Sequence, residues 1–267
     1  MGYGDACYRY PQYSLGSGAI SLESIVVYAL IGFVCQMIDG SLGMGYKATS
    51  SVLLLSTGLP PVAASAATHT AGIFTSAASG YAHYRLGNIN QRLLFRLSIA
   101  GIFGGVIGAL MLSRIPTEVV KPAVALYLAA LGVLILYRAW GKDTLVWRRT
   151  STPLLGTVGG FLDSIGGGGW GPIVTGTLVV NGNNPRKTIG SVSIAEFFVT
   201  LAQAATFATV AHTMEWAPVI GLIIGGVPAA PFAAWLCRRI PVRRLMVLVG
   251  GLIVVLSART LILAFGA

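Results

Sequence analysis

The chain has 267 residues, of which 55% are apolar and only 10% charged, with a mean hydropathy of +0.77. Soluble domains carry about 25% charge, and disordered chains lack such an apolar excess, so both classes are excluded; 35 glycines without a G-X-Y period exclude collagen as well. A net charge of +10 reads as the lysine and arginine bias of membrane loops rather than as a nucleic-acid surface.

In chain order, residues 1–19 form a polar tail without the basic and apolar regions of a signal peptide. Apolar segments follow at 20–38, 46–57, 60–82, 93–113, 118–139, 153–165, 172–180, 187–210, 216–237 and 242–265. Six are long enough to cross the hydrocarbon core, and 20–38 can do so although Glu23 lies near its start. The short segments pair up across two glycine-rich links, DGSLGMG (39–45) and GGGGWG (166–171). Each pair is either one broken crossing or a hairpin that returns to its own side.

The basic residues separate these options. With hairpins, one face collects Arg85, Arg92, Arg96, Arg138, Lys142, Arg148, Arg149, Arg186, Lys187, Arg238, Arg239, Arg243 and Arg244, thirteen in all. The other face keeps Arg9, Arg114, Lys121 and Arg259. With single crossings the split is nearly even. Loop lysines and arginines mark the cytoplasmic side, so hairpins are expected, with both termini outside the cytoplasm.

The sequence also repeats. At an offset of 126, Gly40, Gly43, Gly45, Thr49 and Ser65 fall on Gly166, Gly169, Gly171, Thr175 and Ser191; at 125, Arg114-Ile115-Pro116 falls on Arg239-Ile240-Pro241. The expected fold is an all-α polytopic membrane protein of two inverted repeats, 20–141 and 153–267, joined by a cytoplasmic linker at 142–152. Each repeat is a broken-helix hairpin followed by three transmembrane helices. This is a transporter architecture, with its site where the two breaks meet.

Glycine links inside a membrane must line a cavity or bury against protein, because lipid satisfies no backbone N–H or C=O. In each hairpin the second half-helix starts at the link, near Tyr46 and near Pro172, and presents a positive N-terminus to a small anion. The candidate substrate-binding residues are Gly40, Ser41, Gly43, Gly45, Tyr46, Lys47, Thr49, His69, Gly167, Gly168, Gly169, Trp170, Ser191 and Ser193. Ser50 and Thr175 supply further hydroxyls nearby. The competing reading is that the glycines serve only close helix packing.

Lys47 would either touch the anion or pair with Asp39, Asp163 or Glu196. These three acids are the candidates for proton coupling, since burial raises a carboxylic acid's pKa. Asp39 and Asp163 lie beside the breaks, where they can instead cap free N–H groups. Glu196 lies inside an apolar helix, where capping is unavailable. Trp170 is expected either as a gate or as a hydrophobic plug, and His83 and His212 as interface residues.

Other chemistries fit poorly. GSLGMGYK approaches a phosphate-binding loop, but its lysine is one residue late. His69 and the Gly190-Ser191-Val192-Ser193 stretch offer a serine and a histidine without a nucleophile elbow, so an intramembrane hydrolase is disfavoured. Cys7, Cys35 and Cys237 have no metal-ligand spacing, and no cofactor is expected. A channel or facilitator stays open, as does a homo-oligomer.

GFVCQMIDGSLGMGY (32–46), SAATHTAGIFTSAASGYAHYRLGN (65–88), GGFLDSIGGGGWGPIVT (159–175) and GSVSIAEFFVT (190–200) resemble the TauE/SafE family over about residues 20–265. The resemblance implies a bacterial plasma-membrane secondary transporter, not an enzyme, for sulfite or a small organosulfonate, with a small sulfur-containing anion and the bilayer as its partners. One position departs from the pattern. The family usually has a small residue after the tyrosine of the first motif, where this chain has Lys47. The extra charge would favour a dianion or a carboxylate-bearing sulfonate.

Overall fold

A computed structural model describes residues 22–42, 45–141, 151–181, 183–210, 215–237 and 242–265. The N-terminal tail, His212, Gly43 and nearly all of the linker lie outside the described residues. The rest is helical: α1 (Leu22–Leu42), α2 (Tyr46–Ser56), α3 (Pro61–Arg85), α4 (Gln91–Arg114), α5 (Thr117–Ala139) and α6 (Thr152–Gly166). A π-helical segment, Gly169–Thr175, then runs into α7 (Gly176–Val180), followed by α8 (Pro185–Val210), α9 (Trp216–Cys237) and α10 (Val242–Phe265).

The boundaries have local causes. Asn90 caps α4 by accepting from Leu93 N at 3.3 Å, and Ser151 caps α6 through Leu154 N at 3.4 Å, with a proline in that first turn. The first break ends at Gly45, whose φ of +118° is a left-handed conformation that favours glycine. The second begins at Gly167, with φ +73°, whose N–H donates to the Asp163 carbonyl at 2.6 Å and closes α6.

Among the described residues, five stretches are long and apolar enough to cross a membrane: Leu22–Asp39, Gln91–Arg114, Thr117–Ala139, Lys187–Val210 and Met246–Leu263. The protein is multi-pass and α-helical, and two further expected crossings, α3 and α9, stand outside this set of five. Within the described residues of α9 the apolar stretch covers Trp216–Ala229. α3 has the length, at 25 residues, but carries Ser65, Thr68, His69, Thr70, Thr75, Ser76 and Ser79 and falls short in hydropathy. Its polarity is tolerated because it is central: Ser65, Thr68, His69 and Ser76 are buried in the protein.

α3 packs along α8, α5 along α10, α1 along α9 and α4 along α6; α4 also meets α8, and α3 meets α9. Small residues set these distances, as expected where lipid gives helices no hydrophobic reason to associate. A Cβ at Gly104 or Gly160 would overlap the backbone of the facing helix in the α4–α6 pair, and one at Gly225 would overlap the Ala29 carbonyl in the α1–α9 pair. The larger apolar core gathers Leu54, Leu128, Phe207, Leu222 and Ile253, and a smaller one forms around Trp170. Cys35 is buried and carries no disulfide.

Candidate functional site

Lys47 is the residue around which the centre is built. It lies in the first turn of α2 and is 6% exposed. Its Nζ donates to Asp163 Oδ2 at 2.5 Å and to Thr200 Oγ1 at 3.2 Å, and lies 2.9 Å from Glu196 Oε1. Glu196 and Thr200 are one helical turn apart on α8, so a single face of that helix supplies two of the three partners. An ammonium at this depth is costly unless paired and hydrogen-bonded, and three short contacts meet that need. Of the two roles expected for Lys47, the pairing with Asp163 and Glu196 is present in the structure.

Each helix break is closed by its own acid. Asp39 Oδ1 accepts from Tyr46 N at 3.1 Å, and Asp163 Oδ1 accepts from Trp170 N at 3.3 Å. In both cases the acid precedes the donor by seven residues, reaching back across the link to the free N-terminus of the next segment. The positive ends expected to attract an anion therefore already face carboxylates.

Beyond Asp163 the interior is buried and hydrogen-bonded. His69 is wholly buried, with Nε2 3.4 Å from Asp163 Oδ2 and Nδ1 2.7 Å from the Ser65 carbonyl. Ser65 Oγ donates to the Ser164 carbonyl at 2.5 Å, Ser164 Oγ to the Gly105 carbonyl at 2.6 Å, and Gln203 Nε2 to Ser164 Oγ at 2.9 Å. Ser65, His69 and Asp163 thus align like a hydrolase triad, but Ser65 spends its proton on a backbone carbonyl and is buried away from the cavity. This arrangement holds helices together.

On the other side of Lys47 lies a cavity of about 430 Å³. Of the sequence candidates, Asp39, Gly45, Tyr46, Lys47, Gly167, Ser193 and Glu196 line it. Thr49, Asp163, His69, Gly168, Gly169, Trp170 and Ser191 do not, and Gly40 and Ser41 lie in the last turn of α1. The absent glycines have packing roles instead. A Cβ on Gly168 would overlap Leu131, and one on Gly169 would overlap the Gly159 carbonyl. Trp170 is fully buried, donates Nε1–H to the Val192 carbonyl at 3.0 Å, and sits in the smaller core. Ser191 accepts from Asn90 N at 2.7 Å and donates to the Lys187 carbonyl at 2.7 Å, joining α8 to the start of α4.

Several lining residues escaped the sequence reading: Gln36, Thr75, Ser76 and Ser79, together with Thr200 and Gln203 behind them. Gly72, Ser76, Ser79 and His83 recur at steps of three and four, one helix face of small and polar residues, and that period was the available signal. Among the described residues, no group of histidine, cysteine, aspartate or glutamate side chains is placed to hold a metal ion.

The molecule is thus a multi-pass helical membrane protein with a cavity walled in part by Lys47, Asp39 and Glu196, the class to which transporters belong. The sulfite exporter TauE/SafE family model matches residues 28–260, and the chain belongs to that family, a family of membrane transporters rather than enzymes. It is 40% identical over 251 residues to "Probable membrane transporter protein YtnM" of Bacillus subtilis, covering 90% of this chain and 84% of that one. It is also 25% identical over 193 residues to a "Probable membrane transporter protein" of Haemophilus influenzae, covering 70% and 75%. No solved structure matches the chain.

Proposed function

We propose that the chain exports sulfite or a small organosulfonate across the bacterial plasma membrane, its passage coupled to protons or to the membrane potential. The observation that carries this reading is Lys47, a buried cation on the cavity wall held by two acids of unequal accessibility. Asp163 is wholly buried, whereas Glu196 is 25% exposed and lines the cavity. A proton on Glu196 discharges its carboxylate and frees one Lys47 N–H for an incoming anion. Proton and anion then favour each other's binding and travel together, so export runs down the substrate's own gradient and is faster when the side it leaves is the more acidic. Thr75, Ser76, Ser79 and Ser193 add hydroxyls along the same wall.

The inverted-repeat reading, with units at 20–141 and 153–267, is supported by how the helices pair. α3 with α8 and α5 with α10 join equivalent positions, while α1 with α9 mirrors α6 with α4. The cavity extends along α3 to His83 and along α8 back to Ile189, toward the ends that carry Arg85 and Lys187. With basic loops on the cytoplasmic side, the cavity faces the cytoplasm and both termini lie outside, as suits loading for export.

The test is sulfite flux in proteoliposomes with and without an imposed pH gradient. Acceleration by the gradient is the expected result. Flux that follows only the sulfite gradient would make the protein a facilitator, and no flux of sulfite or sulfonates would end the reading.

A further inference from the structure

The cavity holds more negative charge than a bare anion can meet. Among the described residues its charged lining groups are Lys47, Glu196 and Asp39, and Lys47 is already shared with buried Asp163. Asp39 and Glu196 line the same cavity, where two carboxylates repel. One proton on Glu196 frees Lys47, but the Asp39 carboxylate still faces the same space. Two side chains on the same cavity wall carry buried atoms without partners. Gln36, 6% exposed and on the same helix as Asp39, has an Oε1 without a hydrogen bond; Tyr46, 4% exposed, has a free hydroxyl. Both residues line the cavity. A buried acceptor left unpaired is costly, and an amide oxygen one helical turn from a carboxylate on the same wall calls for a donor-bearing group.

We infer that the substrate is a zwitterion: a small organic acid, such as an aminoalkyl sulfonate, whose ammonium seats against Asp39 and Gln36 while its anionic end faces Lys47. This rests on the transport reading and narrows it. Such a substrate adds no net charge to the cavity, gives the Gln36 oxygen a donor, and puts each substrate charge opposite its complement. The wall offers the anionic end Lys47 and the hydroxyls of Thr75 and Ser76.

The experiment compares 2-aminoethanesulfonate with 2-hydroxyethanesulfonate, nearly equal in size and differing in the ammonium, as labelled substrates for the full chain in proteoliposomes, with sulfite alongside. The amine should be preferred about tenfold in initial rate at low concentration, the scale of one charge-assisted hydrogen bond. Asp39→Asn keeps the oxygen that accepts from Tyr46 N and should reduce that preference to about twofold. Gln36→Leu should also reduce it, and Gln36→Glu should increase it. Equal transport of the two sulfonates, or a preference unmoved by these substitutions, overturns the inference and leaves anion transport standing. If neither sulfonate nor sulfite moves, the transport reading falls and takes the inference with it.

Discussion

The two helix breaks share a device and differ in what surrounds it. In both, an acid caps the backbone N–H seven residues ahead, Asp39 to Tyr46 and Asp163 to Trp170. Around the first break the acid, the capped residue and the glycine before it all line the cavity. Around the second, Asp163 and Trp170 are fully buried, and Gly169 packs against Gly159. The second also has more holding it. Arg138 reaches from α5 to donate to the Pro172 carbonyl at 2.5 Å, inside the π-helical stretch. One acid is therefore free to meet a proton or a substrate, while its counterpart is an anchor. Lys47 bridges the two worlds, belonging by chain to the first break and by its shortest contact to the second.

The largest expected effect breaks the anchored side. Asp163→Leu leaves Lys47 charged and buried without its closest partner and should destabilise the fold by about 3–5 kcal/mol, read as thermal unfolding in detergent. Adding Lys47→Met removes the stranded charge and should restore most of that loss. Failure of the double variant to recover would mean that the cap on Trp170 N, rather than the ion pair, carries the stability.

The glycines give the next contrast. Gly169→Ala sets a methyl into the Gly159 carbonyl, with no flexible side chain to yield, and should cost about 1–3 kcal/mol or more. At Gly45 the space is open, since an added methyl would find its nearest neighbours 3.9 Å away, and the cost of alanine is only its positive φ. Gly45→Ala should therefore lose about 1 kcal/mol. Equal losses in the two variants, measured by the same melting assay, would erase the distinction between a packed break and an open one.

How far the sequence carried depended on which physical signal each feature leaves. Helix positions were legible because membrane burial writes itself into long apolar runs, and the breaks because glycine concentrates where backbone must turn. Four adjacent glycines read as a binding loop, yet Gly167 turns the chain while Gly168 and Gly169 admit Leu131 and the Gly159 carbonyl. Close approach between distant helices leaves the same glycine signature as a ligand cradle. Lys47, Asp163 and Glu196 were each visible as intramembrane charges. Their meeting was not, because the partners lie 116 and 149 residues from Lys47 in sequence. α3 was harder still: its hydroxyls lower its hydropathy, and only their helical period distinguishes a cavity wall from a weak crossing.

The smallest structural effect and the most specific functional one should come together at Glu196. Its carboxylate is partly exposed to the cavity, and Lys47 keeps both Asp163 and Thr200 when it is lost. Glu196→Gln also retains an oxygen able to accept from Nζ. Stability should change by less than about 1 kcal/mol, in the range of partly solvated pairs. Transport should change in kind rather than only in amount. With no proton to take up at this position, anion flux in proteoliposomes should no longer accelerate with an imposed pH gradient, while exchange of labelled for unlabelled substrate continues. A variant that still responds fully to the gradient would move proton coupling away from Glu196, and Asp39, the other acid that lines the cavity, would be next to test. A variant that unfolds would show that Glu196, like Asp163, belongs to the anchor.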